Sequence, residues 1–191
     1  MKQACLLALT ICLTILCGCS KSAKCEEKFT GWKTVCLAAS GHSIEAEVTA
    51  SDDDKVCEYT LLYTQNAEGE TVRVIAPELI ADITARISDK EVSLSYDGAI
   101  LDTGSALKEN LSPLMALPTL MKVIEEGHLE NSWSETKDGT ELNVTELEMP
   151  DGTEITLWQS GQDMTPVYAD VTSSGKVRVK IEITKFENTE D

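Results

Sequence analysis

The side chains of this chain that could do covalent or coordination chemistry are few, and cysteine leads them. The 191 residues hold seven cysteines and two histidines. A thiol can be a nucleophile, a metal ligand or half of a disulfide, and its setting discriminates among the three. Zinc is disfavoured, because no zinc-site spacing occurs and His42 and His128 lie far apart, neither in an HxxxH or HExxH pattern. Asp52-Asp53-Asp54 lacks the alternating ligands and the glycine of an EF-hand loop, so it reads as a solvated hairpin tip. Asn143-Val144-Thr145 has the form of a glycosylation acceptor and carries little weight. No GxSxG elbow, phosphate-binding glycine loop or Cys–His pair in a recognisable setting is present. Acidic residues are abundant but scattered over positions expected to face outward. The expectation is therefore a non-enzyme, with no catalytic residue, no metal and no other cofactor.

Cys19 differs from the other cysteines because of what precedes it. Lys2 supplies a positive start, and Leu6 to Leu16 form an uncharged, mostly apolar run. That run is too short to span a bilayer comfortably but suits a signal peptide. It ends in Leu16-Cys17-Gly18-Cys19, which resembles the lipobox of bacterial lipoproteins: an aliphatic residue, two small residues, then cysteine. The small residues let a peptidase approach the backbone, and the thiol becomes the nucleophile that takes up diacylglycerol. Residues 1–18 are thus expected to be a signal peptide, with lipidation at Cys19 and residues 19–25 as a polar tether. Each buried methylene contributes about 0.8 kcal/mol and a single acyl chain holds only marginally, so two or three chains would anchor the protein firmly. The expected location is the extracytoplasmic face of a cell membrane.

Removal of residues 1–18 leaves 173, enough for one domain with a sizeable core. The formal charge of −17 grows by one negative unit as Lys2 leaves. A chain this acidic is repelled by nucleic acid and by anionic lipid headgroups, so lipid and not a basic patch must do any anchoring. Cys5, Cys12 and Cys17 depart with the signal, which leaves Cys25, Cys36 and Cys57. Export permits one disulfide among these three. Cys36–Cys57 would tie a helix to a strand; three free thiols is the alternative.

The elements that position these groups follow from periodicity. Residues 26–39 place Phe29, Trp32, Val35 and Cys36 on one helical face, with Gly41 as a stop. From residue 43 the apolar period becomes two. Alternating runs cover roughly 43–51, 56–65, 70–76, 82–88, 91–96, 99–103, 130–137, 140–149, 153–159, 165–172 and 176–186. Asp97-Gly98, Asp138-Gly139, Asp151-Gly152, Glu68-Gly69 and Ser174-Gly175 separate several of these runs, as tight hairpins require. The sheet should be an antiparallel meander. Apolar residues change phase between Leu142, Val144 and Leu147, Met149, which predicts a bulge near Thr145 or Glu146. Residues 110–126 break the pattern. Ser112 can cap, Pro113 can open a turn, and a helix follows from about 118 to Gly127. Leu111, Leu114, Met115, Leu117, Leu120, Met121, Val123 and Ile124 make it apolar on more than one face, so it must be buried. The predicted fold is mostly β (α+β): a curved antiparallel half-barrel sheet of about ten strands, an N-terminal helix and an inserted helical lid. The domain should span 26–187, with an acidic tail at 188–191.

This order of elements resembles the LolA/LolB-like lipoprotein superfamily. The patterns that carry the likeness are Ala76-Pro77-Glu78-Leu79-Ile80-Ala81-Asp82-Ile83-Thr84-Ala85, Tyr96-Asp97-Gly98 and Leu111-Ser112-Pro113-Leu114. They look closest to clostridial LolA-like lipoproteins, including the spore germination lipoprotein GerS. The chain departs from LolA, a soluble shuttle, in its lipobox, and LolB's exposed apolar loop is not recognisable. The resemblance implies one of two roles. A protein partner in the envelope could dock on the sheet edge or lid, as when GerS-like lipoproteins support a cell-wall amidase. Alternatively, acyl chains could lie in a concave face lined by Tyr59, Leu61, Tyr63, Val92, Leu94, Val177 and Val179, under a lid carrying Leu114, Met115, Leu117, Leu120 and Met121. Met115 and Met121 would suit a lid that adapts to varied shapes. An exchange of segments about residues 104–110 is conceivable through Gly104.

Overall fold

The computed structural model describes residues 19–52, 55–88, 92–102 and 112–189. The proposed signal peptide, part of the Asp52–Asp54 run and the 104–110 segment lie outside them. Helix α1 (Cys19–Leu37) opens the chain, followed by strands β1 (Gly41–Asp52), β2 (Lys55–Asn66) and β3 (Gly69–Ala76). A 3-10 turn at Glu78–Ile80 leads to β4 (Thr84–Ile87), β5 (Val92–Tyr96) and β6 (Ala99–Asp102). A second 3-10 turn at Pro113–Met115 runs into helix α2 (Ala116–Glu126). Five strands complete the chain: β7 (His128–Lys137), β8 (Thr140–Glu148), β9 (Thr153–Ser160), β10 (Pro166–Ser173) and β11 (Lys176–Thr189).

All eleven strands among the described residues form one antiparallel sheet in the order β6-β5-β4-β3-β2-β1-β11-β10-β9-β8-β7. Each half of the chain is a meander, and the two halves join where β1 pairs with β11, from Gly41↔Thr189 to Ala50↔Val179. The half-barrel expectation therefore holds, with β6 and β7 as its edges. The hairpins behave as their residues dictate. Asp97-Gly98, Asp138-Gly139 and Ser174-Gly175 carry positive φ at both positions, the signature of the turn whose twist matches the strands. At Asp151-Gly152 only the glycine does, and the Asp151 carboxylate instead accepts the Thr153 N–H at 2.9 Å.

Four local expectations need correction. Helix α1 begins at Cys19, so residues 19–25 are helical and not a loose tether, and Cys25 is buried. It ends at Leu37 with Val35 exposed. Gly41 opens β1 instead of capping the helix; a Cβ there would collide with the Gln65 carbonyl of β2. Strand β8 carries no bulge: its register with β9 is unbroken from Leu142↔Ser160 to Glu148↔Glu154. The extra residue is Glu130 in β7, opposite Glu146 and Leu147. The phase change arises because both faces of β8 are covered, Val144 on one and Thr145 on the other. Lastly, β11 runs to Thr189, and the Asn188 side chain meets His42 Nδ1 at 3.1 Å, so residues 188 and 189 belong to the sheet.

The core lies on the concave face. Ile44, Ala46, Val48, Leu61, Tyr63, Val72, Val74, Leu157, Val171, Val179 and Ile181 pack into one cluster with α2.

Candidate binding surfaces

The structure brings most of the sequence-predicted lining together. Leu117 and Leu120 are fully buried, Met115 and Met121 nearly so, and Leu114 packs on the cluster from its edge. Leu61 and Tyr63 are fully buried, while Tyr59 is half-buried. Val177 does not join them. An extra residue, Arg178, sits between the pairs Val171↔Val179 and Thr172↔Val177, which turns Val177 to the outer face, where it is 43% exposed. Helix α2 buries seven of its eleven residues, including Pro118, Val123 and Ile124. The Gly127 N–H closes the helix on the Val123 carbonyl. Ser112 precedes the Pro113 turn as expected but makes no side-chain cap. This segment is core, docked as tightly as the strands beneath it.

Tyr63 is the polar handle within that core. Its hydroxyl donates to Gln65 Oε1 at 3.4 Å. Burial, reinforced by the carboxylates of Glu70 and of Glu125 on α2, pushes its pKa well above that of an ordinary tyrosine. It stays neutral and acts as a donor. Tyr59 is also pushed up, by burial and by its neighbour Cys57.

The cysteines do not form the expected bridge. Cys25, Cys36 and Cys57 are free. Cys36 is fully buried near the α1–β1 junction, whereas Cys57 is exposed and pairs with Ala50 at the far end of β1. Nine residues of strand separate the Gly41 and Ala50 positions, roughly 30 Å, and a disulfide needs Cα atoms within about 7 Å. Burial lifts the Cys36 thiol to about 11, so it remains protonated and inert. The lipidation candidate Cys19 is the first residue of α1.

Helix α1 sits on a different seat from α2. Ser22 Oγ donates to the Ser132 carbonyl at 2.9 Å and Lys28 Nζ to the Gly161 carbonyl at 3.3 Å. Phe29 stacks near Trp32, and Trp32 near Phe186, with ring centroids 5.9 and 6.1 Å apart. On the sheet beside these contacts, β7–β9 bury Ser132, Asn143, Thr145 and Gln159. Ser132 Oγ donates to the Val144 carbonyl and Gln159 Nε2 to the Met164 carbonyl. Asn143 Nδ2, Thr145 Oγ1 and Gln159 Oε1 have no hydrogen-bond partner among the described residues, although Asn143 and Gln159 are paired across the strands. These three buried polar atoms lie on one face of β8 and β9. Sequence reading missed this patch, yet the signal existed: Gln159 shares the parity of Ile155 and Leu157, and Thr145 that of Leu147.

A sheet edge was expected as a docking place, and among the described residues β6 is one of the two edge strands. Tyr96, Ile100 and Leu101 are 52, 76 and 64% exposed. A groove of about 450 Å³, lined by Thr64, Thr71, Arg86, Ser93 and Ile100 among others, opens beside them. An edge of this kind invites pairing or docking. No cluster of metal-ligating side chains and no helix long and apolar enough to cross a membrane occurs among the described residues.

No family model and no curated protein sequence matches this chain. Solved structures do. A putative outer membrane lipoprotein-sorting protein domain from Vibrio parahaemolyticus aligns with TM-score 0.51 and 10% identity over 86% of this chain and 93% of that one. LprF from Mycobacterium bovis aligns with TM-score 0.50 and 13% identity over 87% and 94%. A LolA superfamily protein from Nitrosomonas europaea aligns with TM-score 0.44 and 10% identity over 89% and 94%. The fold is thus shared with the lipoprotein-sorting domain and with LprF: an open, curved antiparallel sheet with two helices. At these identities the likeness is one of fold.

Proposed function

We propose that this chain is a non-catalytic accessory protein of a bacterial envelope, anchored by lipid on Cys19 at the extracytoplasmic face of the membrane, and that it holds a protein partner at its β6 edge. The observation that carries this reading is a contrast in exposure. The concave face is filled by α2, with Leu61, Tyr63, Leu117 and Leu120 fully buried, while Ile100 and Leu101 on the edge strand stand in solvent. The lipobox at Leu16 to Cys19 supports the anchor. Because α1 starts at Cys19, lipid there would hold the domain close to the bilayer without a flexible spacer. The resemblance to GerS-like lipoproteins supports a cell-wall amidase as the partner and sporulation or germination as the setting.

Crosslinking of the full chain in its native membranes tests the reading. The wild type should crosslink to one envelope protein, and the Ile100→Lys/Leu101→Lys variant should lose at least about tenfold of that product, the loss of one interfacial apolar contact or more. An undiminished product would remove the edge from the account. Cys19→Ala should move the protein to the soluble fraction; retention on the membrane would remove the anchor.

The orphaned polar patch beside α1 favours a second reading, in which the domain carries an acyl-chain ligand or a lipoprotein. There the polar head of the ligand satisfies Asn143, Thr145 and Gln159 when α1 withdraws. Native mass spectrometry of the Cys19→Ala protein decides it: a lipid mass that is lost on denaturation supports carriage, and a clean polypeptide mass sinks it.

A further inference from the structure

The outer face of β7–β10 carries a row of aromatic side chains that neither reading uses. Across four neighbouring strands the register aligns Trp133, Val144, Trp158 and Tyr168. These positions point away from the main core: Val144 and Leu142 are buried but do not belong to the concave cluster. Val144 is fully buried on an outward face, so its cross-strand neighbours Trp133 and Trp158 must cover it. Both indoles are tied to one carboxylate. Trp133 Nε1 donates to Glu135 Oε2 at 3.4 Å and Trp158 Nε1 to Glu135 Oε1 at 2.8 Å. Lys137 Nζ lies 4.1 Å over the Tyr168 ring. The rings are therefore fixed in place before any ligand arrives, which lowers the ordering cost of binding.

We propose that this row is a binding platform for a neutral, β-linked glycan chain. Sugar rings present flat C–H faces that stack on indole and phenol, while their hydroxyls need acceptors and donors alongside. Asp170 and the remaining lone pairs of Glu135 supply acceptors, and Lys137 over the Tyr168 ring a donor, so the stacking falls to the two indoles. The backbones of Trp133 and Trp158 stand two strands apart, about 10 Å, and their indoles converge on Glu135 to make one continuous platform. The charge selects the class of glycan. The chain carries a net −17, and at the row Glu135, Glu146, Asp170 and Glu182 outnumber Lys137 and Lys180, so an anionic polymer would be repelled and a neutral one would not. Two of the three tryptophans stand on this outer face, while Trp32 serves the core from α1.

The test is titration of the full chain, held in a detergent without a sugar headgroup, with chitohexaose and with cellohexaose. Indole N–H resonances of Trp133 and Trp158 should shift and that of Trp32 should not. By calorimetry, Trp133→Ala and Trp158→Ala should each weaken binding about tenfold or more, one stacked ring being lost, whereas Trp158→Phe should keep most of it. The proposal is overturned if neither oligosaccharide binds at millimolar concentration, or if binding leaves both indole resonances unmoved. The resonance readout uses the unaltered protein, so it decides the matter even where an alanine variant uncovers Val144 and unfolds.

Discussion

Helix α2 buries seven of its eleven side chains, whereas α1 buries only Cys25, Phe29 and Cys36 among the sixteen described in it. The seats differ accordingly. Helix α2 meets β8 and β10 within the apolar cluster that holds Leu147, Ala169 and Val171; α1 lies mainly on β7 and β8, which bury Ser132, Asn143 and Thr145. The first arrangement removes apolar surface from water on all sides and cannot be undone without opening the core. The second rests on Phe29, Cys25 and Cys36, a short aromatic stack and two side-chain hydrogen bonds, beside a sheet face that buries polar side chains. The helix inserted midway along the chain is therefore the more deeply buried of the two, and the N-terminal helix the more exposed. Its burial is what a helix apolar on more than one face requires.

Substitutions can break or sharpen that comparison, beginning with the most severe. Leu120→Asp places an unpaired charge in the centre of α2's seat and should cost on the order of 5 kcal/mol, enough to abolish cooperative folding in a urea melt. A soluble, cooperatively folding Leu120→Asp protein would show that α2 too can leave. Phe29→Ala removes the main anchor of α1, a loss of about 3 kcal/mol. Amide exchange should then speed up along α1 while β1, β2 and β11 stay protected; uniform loss of protection would mean that α1 is as integral as α2.

A gain is expected from Thr145→Val. The change deletes an orphaned hydroxyl at nearly constant volume and should raise stability by about 1 kcal/mol. A loss instead would reveal that a bound water or ligand head satisfies Thr145. The smallest effect concerns His42, which lies at the end of the Trp32–Phe186 stack, with ring centroids of His42 and Phe186 6.2 Å apart. Burial lowers its pKa below the ordinary 6.5, partly offset by Asn188. The unfolded chain thus binds the proton more readily than the folded one, so stability is full above the unfolded pKa and declines as pH falls through it. Thermal melts between pH 7.5 and 5 should show this decline in the wild type and a flatter profile in His42→Gln. An equal slope in both would assign the dependence to another group.

Much of the framework was legible from residues 43–186. Clean alternation of Val179, Ile181 and Ile183 with Lys180 and Glu182 fixes a strand and its inward face, and Asp-Gly pairs fix the hairpins. The docking of residues 116–124 followed from a helix apolar on several faces. Other features were not legible, because they depend on what lies across from a residue. Val144 and Leu147 looked like a slip in phase because a one-dimensional pattern cannot register that two faces of β8 are both covered. Cys36 and Cys57 looked bridgeable because spacing in sequence carries no distance along β1.

By itself the sequence determined the class of sheet, the inward face of most strands, the buried nature of the second helix, and an acidic surface unsuited to nucleic acid. These are local or summed properties, set by periodicity, turn sterics and charge. Only the tertiary structure decided that β1 and β11 meet at the centre, which leaves β6 and β7 as edges, that α1 rests on a polar seat, and that Trp133, Trp158 and Tyr168 align outside. Such outcomes are set by register between strands far apart in the chain, and bulges at Glu130 and Arg178 reset that register one residue at a time.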